Sequence, residues 1–361
     1  MSGQSKLEIT SHNHIYSIEI QNEHTKNDLI DKRAVIIDSK LTQHDAHENL
    51  ILNNVISIPG NEESKQFNKI ESILTSLADM NVKRDESVSV IGGGSIQDIG
   101  TLVTSLYMRG IRWEYFPTTL ASMMDSCIGG KSSINLGQRK NLIGNFHPPS
   151  RIIVNPTYLE TLPDIEISAG ISEGVKISYA RGSSQLSSFI GNIRLWREKG
   201  HTVNLLAAIR ESLESKKFFI EIDEFDKNER QLLNFGHSFG HALESSSGYS
   251  IPHGIAVLVG MLAAQIYVNR HEIDSEFIDF LFKEFEYSGL GHKQIKINRE
   301  KLKQGLIQDK KNSNGKQVLI LPDLSGALSK MEFPITEQNI SKSVEAAIEA
   351  LIMLGGQIEV L

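Results

Sequence analysis

The sequence predicts an α/β domain with a mostly parallel sheet, followed by a domain that is all α-helical. Up to about residue 155, short β-branched segments alternate with longer helical patterns, as in a sheet covered by helices. From about residue 159 the strand signals fade while helical periodicity continues. Since no linker rich in glycine or serine separates the two parts, we expect the boundary within ordered chain, with domains over residues 1–160 and 161–361.

In the first domain, β-branched runs predict strands and apolar spacing predicts helices. Strands are expected at 34–38, 55–58, 87–91 and 113–116. Helices are expected at 64–80 and 96–108, because apolar residues recur there every three or four positions. The third strand leads directly into the glycines at 92–94, so a glycine turn is predicted to join it to the second helix.

The second domain is expected to contain helices at 165–179, 205–221, 231–246, 255–271 and 341–354. Its most apolar long stretch, 255–264, is too short to span a bilayer. The first 21 residues are polar and lack a basic segment followed by an apolar one, unlike a secretory signal. We therefore expect a cytoplasmic protein.

The composition excludes several classes of function. Asp and Glu number 44 against 37 Lys and Arg, which gives a formal charge of −7. A protein that binds DNA or RNA needs clustered Lys and Arg, and this sequence has no basic run. The single cysteine, Cys127, excludes an intramolecular disulfide and a metal site built from several thiolates. A bound metal would therefore need histidine and carboxylate ligands.

The glycine turn is the first candidate site. Glycines there let a ligand approach the backbone closely, and the N-terminus of the following helix favours phosphate. Three adjacent glycines differ from the spaced Gly-x-Gly-x-x-Gly fingerprint, so a simple tight turn is the alternative. Asp38, at the end of an early strand, could accept hydrogen bonds from ribose hydroxyls or cap a helix.

Histidines form the second candidate. His237 and His241 are four residues apart, so on a helix both side chains lie on one face, as two ligands of one metal would. His253 follows shortly before another helix. With one carboxylate, these nitrogens could make a catalytic zinc site with an open coordination position, whereas a lone buried histidine is usually a satisfied core residue. The eligible carboxylates are Glu173, Glu244 and Asp125.

Scattered cations are the third feature. Several Lys and Arg of this acidic protein lie near glycine turns and helix starts, which favours an anionic small molecule held by charge-assisted hydrogen bonds. Any single lysine is more often a solvated surface residue. These cations and the polar residues beside them are Arg109, Lys131, Lys140, Asn141, Lys176, Lys216, Arg230, Asn234, Asp309, Lys310 and Lys311.

As an ordered set, these residues resemble 3-dehydroquinate synthase and its sugar-phosphate cyclase relatives over roughly residues 55–325. The matching motifs are Gly-Gly-Gly-Ser-Ile-Gln-Asp at 92–98, Arg-Gly at 109–110, Pro-Thr-Thr-Leu at 117–120, Asp-Ser-Cys-Ile-Gly-Gly-Lys at 125–131, Lys-Asn-Leu-Ile-Gly at 140–144, Glu-Gly-Val-Lys at 173–176 and Asn-Phe-Gly-His-Ser-Phe-Gly-His at 234–241. So many motifs in order make a chance match negligible.

The resemblance implies a Rossmann-like N-terminal domain that holds NAD and a helical C-terminal domain that holds a divalent metal, zinc or cobalt. It also implies an active site in the cleft between them, a small-molecule sugar phosphate as substrate, and a homodimer. Neither a nucleic acid nor a membrane is an expected partner.

Site residues carry over from the family position by position. The metal ligands would be Glu173, His237 and His253, which moves His241 from the metal to the substrate side. The cofactor set would be Glu62, Lys65, Gly93, Gly94, Asp98, Thr118, Thr119, Lys140 and Thr161, to which we add Asp38 and Ser95 from the strand end and the glycine turn. The catalytic set would be Lys131, Lys176, Arg230, Asn234 and His241. The remaining substrate-binding residues would be Arg109, Asp125, Asn141, Lys216, Lys310 and Lys311.

The implied reaction is that of a phosphorus–oxygen lyase of the shikimate route, which converts 3-deoxy-D-arabino-heptulosonate 7-phosphate to 3-dehydroquinate and phosphate. In the family, NAD transiently oxidises a ring hydroxyl, phosphate leaves by β-elimination, the hydride returns, and the product closes by an intramolecular aldol addition. NAD ends unchanged. The protein mainly orients the substrate, stabilises charge and excludes water, which explains many cations without a single outstanding nucleophile.

Metal-dependent alcohol and glycerol dehydrogenases are a competing class, because they share a Gly-Gly-Gly-Ser-x-x-Asp turn and a late His-Gly. A simple alcohol oxidation would not need Lys131, Lys176 or Arg230. An inactive relative that only binds NAD or a partner would have lost metal or cation positions, and none of the matched ones is lost.

A related cyclase of a secondary-metabolite or surface-polysaccharide pathway, acting on another sugar phosphate, is the second alternative. Ile255 stands where the family usually has Glu, and Cys127 interrupts a usual Ser-Ser-Val, and these two departures favour this alternative. Asn234 and His241 are retained, however, and Arg230 suits a carboxylate, which together favour 3-dehydroquinate formation.

Overall fold

The computed structural model of the chain describes residues 5–21, 33–43, 54–268, 275–312 and 314–361. Contacts between residues divide the chain into two compact units. The first consists of residues 1–162 with 217–225, and the second of residues 163–216 with 226–361.

The first unit is built on one sheet. Its strands are β1 (Ser5–Thr10), β2 (Ile15–Ile20), β3 (Ala34–Asp38), β4 (Val55–Ile58), β5 (Ser87–Gly92), β6 (Arg112–Pro117) and β9 (Arg151–Val154). They lie in the order β1-β2-β9-β6-β5-β3-β4, and every neighbouring pair is parallel except β1 and β2. The central strands are buried, as expected for β-branched runs covered by helices. The predicted, mostly parallel α/β arrangement is confirmed.

Two helices and a small hairpin complete this unit. The helices are α1 (Ile70–Asp79) and α2 (Gly94–Leu106), and the hairpin pairs β7 (Ile134–Leu136) with β8 (Arg139–Ile143). The helix expected at 64–80 is wrong in its first part. There, Asn61 caps a short 3-10 turn, Glu62–Lys65, by accepting the Ser64 N–H at 3.0 Å, and Gln66 is extended, so the α-helix begins only at Ile70.

The second unit is mainly helical. Its helices are α3 (Asp164–Arg181), α4 (Ser183–Lys199), α5 (Thr202–Ile222, whose last residues belong to the first unit), α6 (His237–Ser246), α7 (His253–Tyr267), α8 (Ser275–Tyr287), α9 (Arg299–Ile307) and α10 (Glu337–Met353). Two strand pairs were not expected: the antiparallel β11 (Lys316–Pro322) with β12 (Leu328–Pro334), and the parallel β10 (Gln294–Ile297) with β13 (Gln357–Val360).

The helix expected at 231–246 is interrupted. A 3-10 segment, Glu229–Asn234, ends at Phe235, and Gly236 adopts a left-handed φ of 77° before α6 begins at His237. The expected helix at 255–271 corresponds to α7, and its predicted last residues lie outside the described part of the chain. Over the described ranges, none of the helices has both the length and the apolar character that crossing a membrane requires.

Candidate active site

Three helices of the second unit bring the histidines and Glu173 together, and glycine lets the helix backbones approach closely. Helix α7 is buried along almost its whole length. A Cβ on Gly254 would lie 2.3 Å from the carbonyl oxygen of Ala169 in α3, and one on Gly260 would lie 2.0 Å from that of Gly236 at the start of α6. Only glycine permits such contacts. The glycines beside the histidines therefore fix the spacing of α3, α6 and α7.

The histidines form a cluster suited to a metal. One ring nitrogen from each of His237, His241 and His253 lies within 4.8 Å of the other two. Glu173, on α3, adds an oxygen, since its Oε1 lies 3.4 Å from Nε2 of His253. The structure thus brings Glu173 together with both predicted histidine ligands, and it keeps His241 within the same reach.

The protonation states of two rings suit metal binding. Burial, with the positive charges of Lys176 and His253 adding to it, holds the pKa of His237 well below its usual value. Burial and the charge of His253 lower the pKa of His241 to about 4. Desolvation works against the charge of His253 too, but the hydrogen bond with Glu244 and the charge of Glu173 raise the pKa of its ring. Neutral imidazole is the form that binds a metal.

The carboxylates eligible from the sequence take different places. Glu173 is buried, and its Oε2 accepts a 2.7 Å hydrogen bond from Lys176 Nζ. Glu244 lies on α6, with its Oε2 at 3.1 Å from Nδ1 of His253. Asp125 belongs to the first unit, in the turn Ser122–Ser126. Glu173 and Glu244 therefore lie beside different ring nitrogens of His253, Glu173 beside Nε2 and Glu244 beside Nδ1.

Three of the cations singled out from the sequence are buried rather than solvated on the surface. The side chains of Lys176, Lys216 and Arg230 are 3%, 6% and 3% exposed. Burying a cation is costly unless anions or dipoles compensate, and for Lys176 the carboxylate of Glu173, 2.7 Å away, provides this compensation. Lys311 lies near His241, whose pKa it lowers, and its Nζ is 3.3 Å from Asp309. Lys310, its neighbour in the chain, is exposed, and half-buried Asn234 is the last residue of the 3-10 segment before α6.

The glycine turn of the first unit lies at a topological switch point. The chain runs from β3 outward to β4 and then crosses to β5 on the other side of β3. In open α/β sheets, ligands bind at the carboxyl ends of strands where the order reverses in this way. Asp38 ends β3, and its Oδ1 accepts the N–H of Gly60 at 3.1 Å. Gly93 follows β5.

The start of α2 has the properties expected of a phosphate site. Gly93, its N-cap, makes no side-chain capping bond, and the first turn has no acidic residue, so the helix N–H groups stay open to an anion. A Cβ on Gly93 would lie 2.8 Å from Cγ2 of Thr119, which explains the glycine. Thr118 is tied in beside it, since its N–H donates to the carbonyl of Gly92 at 3.1 Å.

A polar cluster joins four predicted residues of the first unit. Lys65, only 6% exposed, lies 2.8 Å from Asp98, donates to Asn141 Oδ1 at 3.0 Å and lies 3.6 Å from Glu62. Burial raises the pKa of Asp98 to about 6, although Lys65 acts against the rise. Asn141, expected on the substrate side, therefore shares one cluster with three expected cofactor residues.

The other predicted residues of the first unit are more dispersed. Arg109 is exposed and has a left-handed backbone, as has Met108 before it. Lys131 lies 5.9 Å from the ring centre of Phe146. Ser95 lies in the first turn of α2, while Lys140 is exposed on β8 and Thr161 is exposed at the end of a 3-10 segment.

Sequence reasoning missed residues that organise the first unit's cluster. Buried Asn135 donates to Glu62 Oε1 at 2.8 Å and accepts the Asn141 N–H at 2.8 Å. Gln97 and Ser126 exchange hydrogen bonds of 2.6 Å, which tie the start of α2 to the segment with Asp125. Only their position beside motif residues could have singled them out.

Two family models match consecutive parts of the chain. A family model described as 3-dehydroquinate synthase N-terminal matches residues 55–169, and one described as 3-dehydroquinate synthase C-terminal matches residues 170–312. The chain belongs to the 3-dehydroquinate synthase family. The resemblance expected from the motifs is thereby confirmed.

Individual relatives agree with this membership. A 3-dehydroquinate synthase of Methylacidiphilum infernorum (isolate V4) is 36% identical over 290 residues, which cover 80% of this chain and 77% of that protein. One of Dictyoglomus thermophilum (strain ATCC 35947 / DSM 3960 / H-6-12) is 36% identical over 297 residues, covering 81% of this chain and 82% of that protein.

Solved structures share the fold. A 2-epi-5-epi-valiolone synthase from Streptomyces hygroscopicus subsp. jinggangensis 5008, with NAD+ and Zn²⁺ bound, has a TM-score of 0.79 at 21% identity and covers 92% of this chain and 97% of its own. An iron-containing alcohol dehydrogenase from Thermotoga maritima has a TM-score of only 0.55 at 16% identity, and the match covers 90% of this chain and 93% of that chain. The fold of this chain thus resembles that of the valiolone synthase more than that of the alcohol dehydrogenase.

Proposed function

We propose that the protein converts 3-deoxy-D-arabino-heptulosonate 7-phosphate to 3-dehydroquinate and phosphate. The observation that carries this is the family match over 55–312 on a chain whose second unit clusters histidines, a carboxylate and buried cations. A keto acid that carries a phosphate has two anionic groups, and buried Lys and Arg suit both.

We propose Glu173, His237 and His253 as ligands of a divalent metal, zinc or cobalt. Ligand histidines usually donate their second ring N–H to an anchoring acceptor. Two rings have such an anchor at Nδ1: His237 at 3.3 Å from the carbonyl of Phe235, and His253 at 3.1 Å from Glu244. Among the described residues, neither ring nitrogen of His241 has a hydrogen-bond partner. This difference supports His241 as a substrate-side residue.

We propose that NAD binds at the switch point of the first unit. The open N-terminus of α2 suits its pyrophosphate, and Asp38 lies where a ribose would come. The polar cluster of Glu62, Lys65 and Asp98 would then form the remaining polar contacts. Structures of this fold with NAD+ and Zn²⁺ or Co²⁺ bound are compatible with both cofactor sites. When bound, the two cofactors supply hydride transfer and Lewis acidity, respectively.

The chain's own residues would hold the substrate and compensate its charge. Lys176, held by Glu173, is placed to stabilise negative charge that develops on a substrate oxygen near the histidines. Lys216 and Arg230 would pair with the anionic groups, and Lys311 would reach the substrate beside His241. The low pKa of His241 keeps its ring neutral near pH 7, so the ring can form a hydrogen bond with the substrate without carrying a charge.

The experiment is a panel of sugar phosphates. Purified protein with NAD and zinc is incubated with the seven-carbon keto-acid phosphate and with seven- and six-carbon phosphates that lack the carboxylate, and phosphate release and product mass are followed. We expect release from the keto acid and a product of the mass of 3-dehydroquinate. Release from a carboxylate-free sugar phosphate alone would contradict the proposal and assign the protein to another cyclase.

We also propose a homodimer in the cytoplasm. The expected dimer is supported only by the family resemblance, and light scattering tests it. The reducing compartment is supported by the single cysteine, which is buried.

A further inference from the structure

Glu244 contacts the histidine cluster from outside. It lies on α6, three residues after His241, and its side chain is 18% exposed. Its Oε2 is 3.1 Å from Nδ1 of His253, while Nε2 of the same ring lies 3.4 Å from Oε1 of Glu173. The two nitrogens of one imidazole thus meet carboxylates from two different helices, α6 and α3.

We propose that Glu244 is a positioning residue that makes Nε2 of His253 the metal-binding atom. A carboxylate that accepts a hydrogen bond from Nδ1–H fixes the tautomer with its lone pair on Nε2, and it also fixes the rotation of the ring. Nε2 then faces Glu173, another of the three proposed ligands. Because the two ring nitrogens point in different directions, Glu244 itself is directed away from the metal.

The need for this anchor follows from where His253 lies. It is the first residue of α7, and its side chain is 46% exposed, so packing against the rings of His237 and His241 encloses it only in part. His237, by contrast, is anchored by the backbone carbonyl of Phe235, which no side-chain substitution removes. Glu244 is therefore the anchor of the cluster that can be tested by mutation.

Cobalt binding by the full-length, metal-free protein tests this role, which rests on the proposed metal-dependent function. The variants are Glu244→Gln, Glu244→Ala and His253→Ala. Glu337→Ala serves as control, because that exposed glutamate of the same unit pairs with Lys303 on the surface. Affinity is measured by chelator competition, and the ligand field by the visible absorption of bound Co²⁺. Circular dichroism and thermal unfolding without metal report folding.

We expect Glu244→Ala to weaken cobalt binding by about 10–100-fold and to alter the cobalt spectrum. Glu244→Gln should lose less, because its amide oxygen still accepts from Nδ1–H, and Glu337→Ala should match the wild type. If Glu244→Ala fails to fold, Glu244→Gln alone tests the role, and we expect a measurable loss of cobalt affinity in that variant.

Two results would overturn the role. One is wild-type affinity and spectrum in both Glu244 variants. The other is a loss as complete as in His253→Ala, which would make Glu244 a ligand. If the wild type itself binds no cobalt, the metal site and this role both fail. If the wild type binds cobalt but releases no phosphate from any sugar phosphate, only the proposed function fails.

Discussion

The three clustered histidines differ in what holds their rings. His237 and His253 each have an acceptor at Nδ1, whereas His241 has none among the described residues. All three have a nitrogen within 4.8 Å of the others, so distance alone does not assign the ligands. The anchoring supports the proposed ligands His237 and His253, because a metal ligand needs one defined nitrogen.

Metal content of single variants tests this assignment. His237→Ala and His253→Ala should each abolish stoichiometric zinc after purification, since each removes a ligand. His241→Ala should retain zinc while losing activity. Zinc is measured by atomic spectrometry on protein with unchanged circular dichroism. Equal loss of zinc in all three variants would contradict the assignment.

Asp98 makes a testable contribution to the pH dependence of stability. Its pKa is raised from 3.8 to about 6 by burial, so the folded state binds its proton more tightly than the unfolded state does. This contribution stabilises the protein below about pH 4 and is lost as the pH rises through about 6. Asp98→Asn removes it. From pH 4 to pH 7, the wild type should therefore lose up to about 3 kcal/mol relative to the variant.

Urea unfolding of both proteins at several pH values measures this difference. Asp323→Asn is a control of opposite sign, because hydrogen bonds from Ser325 and Ala327 hold the pKa of Asp323 below its usual value. Relative to Asp323→Asn, the wild type should therefore become more stable as the pH rises. A difference between wild type and Asp98→Asn that is independent of pH would contradict the raised pKa.

At the scale of elements, backbone contact between helices places the ligands. Gly236 combines a left-handed φ of 77° with a close approach, since a Cβ there would lie 2.7 Å from the Val257 carbonyl oxygen of α7. Gly200 also has a left-handed φ, of 68°, at the end of α4, but nothing lies within 4 Å of its Cβ position. A substitution at Gly200 therefore meets only backbone strain, whereas one at Gly236 meets both backbone strain and steric overlap.

Substitution by alanine should therefore have unequal effects. Gly200→Ala should cost about 1 kcal/mol of unfolding free energy, for the left-handed conformation alone. Gly236→Ala should cost at least about 3 kcal/mol, because overpacking adds to the strain, and it should weaken zinc binding by moving His237. Denaturant unfolding and zinc content check both. Equal, small costs would contradict the proposed contact between α6 and α7.

The sequence predicts those elements whose signal is local. The strands at 34–38 and 55–58 and the long helices were expected because a period of two or 3.6 residues reports burial of one face. The break at Gly236 was not, since apolar spacing continues across it while a contact with α7 sets the backbone. The pair of β10 with β13 was missed for a similar reason, because it joins segments that are distant along the chain. Likewise, residue types and spacing indicated the histidine cluster, but the anchoring role of Glu244 depends on the packing of α6 on α7.

On the scale of the whole molecule, an acidic chain buries cations. The formal charge is −7, yet Lys65, Lys176, Lys216 and Arg230 are all at most 6% exposed. Composition describes the surface and excluded nucleic acids, but it could not show which lysines are buried. The family motifs single out all four residues, and two of them pair with carboxylates of the chain: Lys65 with Asp98 and Lys176 with Glu173.

The central claim is that the protein uses NAD catalytically in a cyclisation that releases phosphate, and turnover per NAD tests it most directly. The protein, with zinc and less NAD than substrate, is given the seven-carbon keto-acid phosphate, and phosphate, product and NADH are followed together. We predict many phosphates released per NAD, one 3-dehydroquinate per phosphate, and no accumulation of NADH. NADH that accumulates in proportion to substrate consumed, without phosphate release, would contradict the account and indicate a dehydrogenase.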